Sequence, residues 1–193
     1  RFIKREGQVY MNTWHGTSFK KLGKDTPDGA YAMGNVQRNL LMADYIVSPS
    51  AYALKKLSDA HDLEGLYQGS YVLAGYPRNQ AFFMEGEREA LRKSLGLEGK
   101  RIYCYMPTWR GVVRDRDALK ESQRQAEEIK KYLNVLDREL KEEEVFYVRL
   151  HPFAGKDFNC DEYRHIRLFP DGIDVYGVLS LADVLVTDYS SVF

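Results

Sequence analysis

Two histidines stand in loops that follow short apolar runs, and both are surrounded by groups suited to handling phosphate. His15 lies in Trp14-His15-Gly16-Thr17 after the run Val9 to Thr13, and Gly16 allows a ligand close to the backbone. His151 heads His151-Pro152 after Val145 to Leu150. Two further loops carry a cation or hydroxyls. These are Pro107-Thr108-Trp109-Arg110 after Ile102 to Met106, and Asp188-Tyr189-Ser190-Ser191 after Val184 to Val186. An imidazole in such a loop can take the proton of an attacking hydroxyl. The Arg110 guanidinium can grip a diphosphate with two parallel hydrogen bonds. Asp188 to Ser191 has the pattern of a strand exit and first helical turn, where free N–H groups and the helix dipole favour phosphate and the Ser190 and Ser191 hydroxyls can donate. Each feature also has an ordinary explanation. A helix cap would account for 188–191, and a surface ion pair with Asp115 or Asp117 for Arg110. Core hydrogen bonding would account for a lone histidine. His61, in a polar helix-to-loop stretch, and His165, which opens a strand, carry no such company. Lys20 and Lys21 are either solvated or directed at a phosphate-rich partner.

The elements that must position these loops follow from hydrophobic patterning. Val9 to Thr13, Tyr45 to Val47 and Tyr71 to Ala74 have the pattern of short strands. Gly34 to Met42 is helix-like, and Ser50 is a natural N-cap for a helix running through Leu57. Glu85 to Leu95 is helical and is closed by Gly96 and Gly99. Ile102 to Met106 is a continuous apolar run, as expected of a strand buried on both faces. In the charged segment Arg114 to Glu144, Ile129, Leu133, Leu136 and Leu140 repeat at helical spacing and predict a surface helix with one apolar stripe. Val145 to Leu150, His165 to Phe169 and Val184 to Val186 complete the strands, with a short helix capped by Asp174 before the last. Strands alternating with helices predict an α/β fold with a mostly parallel sheet. Ligands in open sheets of this kind bind outside the carboxyl ends of the strands, and all four chemistry-bearing loops would lie there. The pattern suits two Rossmann-like units facing a cleft, with the boundary between Gly75 and Lys100.

Bulk properties narrow the function classes. The chain has 193 residues, 44% of them hydrophobic, which supports a real core. Lys+Arg and Asp+Glu are both 28, so a broad basic face for nucleic acid is not expected. The two cysteines, Cys104 and Cys160, make no disulfide framework, and Cys104 sits in an apolar run like a small core residue. No apolar stretch approaches the roughly 20 residues that span a bilayer. Zinc spacing, the G-x-G-x-x-G turn, the phosphate loop with its lysine and the G-x-S-x-G elbow are all missing. The opening Arg1 and the closing Asp188 to Phe193 are expected of a piece of a longer protein.

The same loops carry a resemblance. Trp14-His15-Gly16-Thr17 with Phe19-Lys20-Lys21-Leu22-Gly23-Lys24-Asp25 resembles the W-H-G-T…K-K-x-G-x-D signature of the CDP-glycerol:poly(glycerophosphate) glycerophosphotransferases. Gly75-Tyr76-Pro77-Arg78-Asn79 resembles that family's G-x-P-R-N-D, with Gln80 in place of the acidic residue. Tyr105 to Arg110 resembles Y-x-P-T-W-R, Arg149 to Pro152 resembles R-x-H-P, and Thr187 to Phe193 resembles T-D-Y-S-S-V-F. The ordered set, which spans nearly the whole chain, is specific where each motif alone is weak.

The resemblance implies a GT-B-like α/β architecture of two Rossmann-like domains facing a cleft, both incomplete in this chain. Residues 1–80 would be the C-terminal part of the acceptor-side domain, 81–100 a helical linker, and 101–193 the N-terminal part of the donor-binding domain. It implies transfer of glycerol phosphate from CDP-glycerol to a hydroxyl of a lipid-linked poly(glycerol phosphate) acceptor, with release of CMP. His15 would be the general base, with His151 beside it in the catalytic set. Thr108, Arg110, Asp188, Ser190 and Ser191 would hold the donor, and Gly16, Thr17, Lys20 and Lys21 the acceptor. No metal ligand and no tightly bound cofactor are implied, and magnesium dependence is left open. The setting would be teichoic acid or capsule synthesis at the cytoplasmic membrane face, as a peripheral protein. Donors related to CDP-glycerol, such as CDP-ribitol or a nucleotide sugar, and a non-catalytic nucleotide-binding module are the competing readings.

Overall fold

The computed structural model of the chain describes residues 3–17, 19–108, 118–150, 158–188 and 192; of these, the side chains of 30, 32, 118–123 and 125 are not described. Two compact units are present, Arg1–Pro77 and Arg78–Phe193.

In the first unit three short strands, β1 (Met11–Asn12), β2 (Tyr45–Ser48) and β3 (Ser70–Leu73), pair in parallel in chain order. Two helices connect them, α1 (Ala30–Leu41) and α2 (Ala51–Ala60). As the sequence predicts, Ser50 caps α2: its hydroxyl accepts from the Ala53 N–H at 3.2 Å. Helix α2 buries Ala53, Leu57 and Ala60 on one face, and Leu57 joins Leu40, Ala43, Ile46 and Leu63 in the core. Helix α1 begins four residues before the expected Gly34. It starts after Gly29, whose φ of 53° turns the chain into the helix without a capping side chain, so no N-cap residue marks the position.

The second unit has a four-stranded parallel sheet in the order β6-β5-β4-β7. Its strands are β4 (Arg101–Met106), β5 (Glu144–Val148), β6 (Ile166–Leu168) and β7 (Val184–Thr187). Helices α3 (Glu87–Ser94), α4 (Ala118–Glu139) and α5 (Val175–Leu181) accompany them. Residues 81–100 therefore carry α3 within this unit.

Every residue of Val145 to Val148 is buried, because β5 is covered on both faces. Ile102, Cys104, Val145 and Tyr147 face one cluster with Leu97, Val178 and Leu181, while Phe146 and Val148 face another with Ile129 and Leu133 of α4. Leu136 and Leu140 pack against that second cluster, as the predicted stripe requires. At the end of α3, Gly96 takes φ 65°; its N–H reaches the Lys93 carbonyl and the Leu97 N–H the Arg92 carbonyl. This paired closure drives Leu97 fully into the core. Asp183 ties α3 to the sheet: it accepts from Arg88, Arg92 and the Ile102 N–H.

Both cysteines are buried and free. Burial pushes the Cys104 thiol up to about 12 and the Cys160 thiol up to about 11, so both stay protonated and neither is a nucleophile near neutral pH. Among the described residues no helix is long and apolar enough to cross a membrane.

Candidate functional site

The His15 loop is built by contacts that start in the strand before it. Asp44 accepts from the Tyr10 N–H at 2.7 Å and from Lys4, and the side-chain bond to Lys4, with the backbone bond to Tyr10, holds its carboxyl below the ordinary range. The Tyr10 hydroxyl accepts from Asn12 Nδ2 at 2.9 Å, and Asn12 Oδ1 accepts from the Trp14 N–H at 2.9 Å. This short-range bond holds Trp14 at φ 53°, a left-handed conformation unusual for a bulky side chain. A strained residue next to a candidate base fits the general concentration of such outliers at functional sites.

The Trp14 ring then fixes its neighbour. It stacks on His15 with centroids 4.3 Å apart and 27° between planes, and it meets the edge of His61 at 5.7 Å. His61 is buried, and its Nδ1 donates to the Leu57 carbonyl at 2.9 Å. The His61 carbonyl accepts from Gln37 Nε2 at 2.9 Å. His15 itself is exposed, Gly16 is buried, and the Thr17 hydroxyl lies 3.5 Å from that of Tyr76, the long limit of a hydrogen bond.

The following segment is fastened to the end of α2. Gly23 has φ 48°, and a Cβ there would lie 2.0 Å from the Ala60 carbonyl oxygen, so no other residue fits. Lys24 pairs with Asp62, and the Thr26 hydroxyl donates to the Gly23 carbonyl at 2.8 Å. Lys20 and Lys21 are exposed and line a groove of about 220 Å³.

Sequence reasoning treats His61 as ordinary, yet its ring packs against Trp14 at the head of the loop. A signal existed: Ala53, Leu57, Ala60 and His61 fall on one helical face.

In the second unit the chain runs from β4 outward through β5 to β6, then returns to the other side of β4 as β7. The switch point, where ligands of open parallel sheets bind, is therefore the carboxyl end of β4 and β7. Three hydrogen bonds join the loops there. The Thr187 hydroxyl donates to the Met106 carbonyl at 2.6 Å. Asp188 Oδ1 accepts from the Thr108 N–H at 2.9 Å and from the Thr108 hydroxyl. Asp188 and Thr108, expected at the donor site on separate motifs, are thus brought together, and the Asp188 carboxylate organises the loop of Thr108. On the neighbouring strand the Arg149 N–H extends the ladder to the Tyr105 carbonyl at 2.9 Å, and its guanidinium lies 5.6 Å from the Phe169 ring centre. Arg110, His151, Ser190 and Ser191 lie outside the described residues. Among the described residues no group of three or more His, Cys, Asp or Glu side chains could hold a metal ion.

A parallel sheet covered by helices on both faces, with the loops of Thr108 and Asp188 joined at its switch point, places the second unit in the doubly wound α/β class that commonly binds nucleotides. The profile of the CDP-Glycerol:Poly(glycerophosphate) glycerophosphotransferase family matches residues 1–193, and the chain belongs to that family. It is 31% identical to the teichoic acid poly(glycerol phosphate) polymerase of Bacillus spizizenii, over 98% of this chain and 49% of that protein. To the teichoic acid poly(ribitol-phosphate) polymerase of the same species it is 31% identical, over 63% of this chain and 20% of that one. Among solved structures it resembles the wall teichoic acid polymerase TagF in fold, with a TM-score of 0.65 at 24% identity, covering 98% of this chain and 47% of that one. A variant of TagF has been solved after soaking with CDPG, and its TM-score to this chain is 0.64 at 23% identity. The chain spans about half the length, or less, of the relatives it matches.

Proposed function

We infer that the protein transfers glycerol phosphate from CDP-glycerol to a hydroxyl of a poly(glycerol phosphate) acceptor. The acceptor oxygen attacks the β-phosphorus and forms a new phosphodiester as the bond to the CMP oxygen breaks. His15 takes the proton of the attacking hydroxyl. CMP leaves carrying the displaced charge, which Arg110, Ser190, Ser191 and the backbone of 188–191 offset. His151 acts on the donor side. In the GT-B manner, the first unit serves the acceptor through Gly16, Thr17, Lys20 and Lys21, and the second serves the nucleotide. The acceptor is lipid-linked and the protein works as a peripheral protein at the cytoplasmic membrane face.

One observation carries this reading above all. Two separate family motifs meet through Thr108 and Asp188 at the switch point of a parallel sheet, where a nucleotide diphosphate is expected to bind. CDP-ribitol is the nearest competing donor, since a ribitol-phosphate polymerase and a ribitol-phosphate primase are among the relatives, but the first match covers only 63% of the chain and the second falls to 23% identity. The test is release of nucleotide from CDP-glycerol, CDP-ribitol and UDP-sugars by the full-length protein, each with and without a glycerol-phosphate acceptor. Acceptor-dependent CMP release from CDP-glycerol is expected. UDP release with CDP-glycerol inert would reassign the protein to sugar transfer.

A further inference from the structure

Five lysines cluster on the segment 20–24 and the facing side of α2, and they divide into two groups. Lys24 pairs with Asp62, and Lys55 with Asp59 one helical turn on. Lys20, Lys21 and Lys56 make no ion pair among the described residues, and all three line the same groove of about 220 Å³. The groove also presents the carboxylate of Asp25 and the rings of Tyr52 and Phe19. Lys56 is carried over the Tyr52 ring, 5.8 Å from its centre, one turn along α2. The groove is held open by its anchor: Gly23 can pack on the Ala60 carbonyl only because it lacks a side chain.

We propose that this groove is a binding subsite for the already formed part of the polymer, a polyol phosphodiester, and that Lys56 and Tyr52 of α2 are its specificity residues together with Lys20 and Lys21. The proposal rests on the glycerol-phosphate acceptor assigned above and extends it from the reacting unit to the preceding ones. The chemistry matches in both parts of the repeat. Three unpaired ammonium groups suit phosphodiester charges. Asp25 and the Tyr52 hydroxyl suit the alcohol groups between them, whereas a carboxylate in the lining disfavours a site for bare phosphate. The same carboxylate and the concave form disfavour an anionic lipid surface, which would meet lysines on a convex face.

The test is binding of soluble oligo(glycerol phosphate) to the full-length protein without donor, measured by calorimetry at low and moderate salt. Wild type should bind in a salt-dependent way. Lys56→Gln and Lys20→Gln should each weaken binding about threefold to tenfold, the loss expected for one charge-assisted contact. Lys55→Gln, whose lysine is paired with Asp59, should bind like wild type. Equal affinity of wild type and Lys56→Gln, or an equal loss in Lys55→Gln, overturns the proposal. Vesicles of phosphatidylglycerol and of phosphatidylcholine provide the second arm. If Lys56→Gln loses only the anionic vesicles and keeps the oligomer, the groove is a lipid contact and the proposal is wrong. Tight oligomer binding by a wild-type protein that releases no CMP would refute the proposed reaction and leave the subsite standing.

Discussion

At the scale of single residues the site depends on backbone conformations that few side chains tolerate. Trp14 at φ 53° and Gly23 at φ 48° fix the two ends of the segment that carries His15, Lys20 and Lys21. Gly23→Ala is expected to be costly, because its methyl would meet a backbone oxygen of α2, which cannot move aside as a side-chain tip can. Strain of this type is of the order of 1–3 kcal/mol, so thermal unfolding should occur several degrees lower and transfer should weaken with it. An alanine variant with unchanged melting temperature and activity would show that the loop is not seated on α2. The candidate residues stand out in the sequence because their types are rare and each follows an apolar run. For His61 the shared helical face with Ala53, Leu57 and Ala60 is legible, but its contact with the Trp14 ring, 47 positions earlier in the chain, is not.

At the scale of elements two latches matter. The first joins the exits of β4 and β7 through Thr108 and Asp188. Residues in direct contact couple energetically, so Thr108→Ala and Asp188→Ala should each reduce donor affinity, and the double variant should lose clearly less than the sum. Strict additivity in a double-mutant cycle read by CDP-glycerol binding would mean that the bond between them does not support the donor site. The second latch is Asp183, which holds α3 to the start of β4. Burial acts against its charge, but the Ile102 N–H, Arg92 and Arg88 outweigh it and hold its carboxyl below the ordinary carboxylate range. A depressed folded value gives stability that is present above the unfolded value of about 3.9 and is lost as pH falls through the folded one. Asp183→Asn should therefore destabilise the protein by about 1–2 kcal/mol near neutral pH, a modest figure for a partly exposed pair. It should also flatten the acid limb of the stability curve. A variant with the wild-type acid profile would mean that Asp183 is not the titrating anchor.

Most elements were legible for the same reason. Strand β4 and helix α4 announce themselves by a continuous apolar run and a four-residue stripe, which depend only on local periodicity. The start of α1 does not, since Gly29 enters the helix through its backbone alone. Strand β1 is only two residues long because its ladder to β2 stops where Asn12 turns to hold Trp14.

At the scale of the whole molecule the proposed reaction is divided between the two units: proton removal by His15 in the first, and donor recognition around β4 and β7 in the second. Pattern reading finds the strands in their order along the chain, whereas pairing between distant strands, such as β4 with β7, leaves no local trace in the sequence. The division has a direct test in the full-length protein carrying His15→Ala, with CDP-glycerol affinity measured by calorimetry and CMP release measured in a single turnover. A general base contributes a factor of roughly 10²–10⁴, so the chemical step should slow by about that much while donor affinity stays near wild type. A folded variant with normal single-turnover CMP release, or one whose only defect is lost donor affinity, would contradict the assignment of His15 as the base.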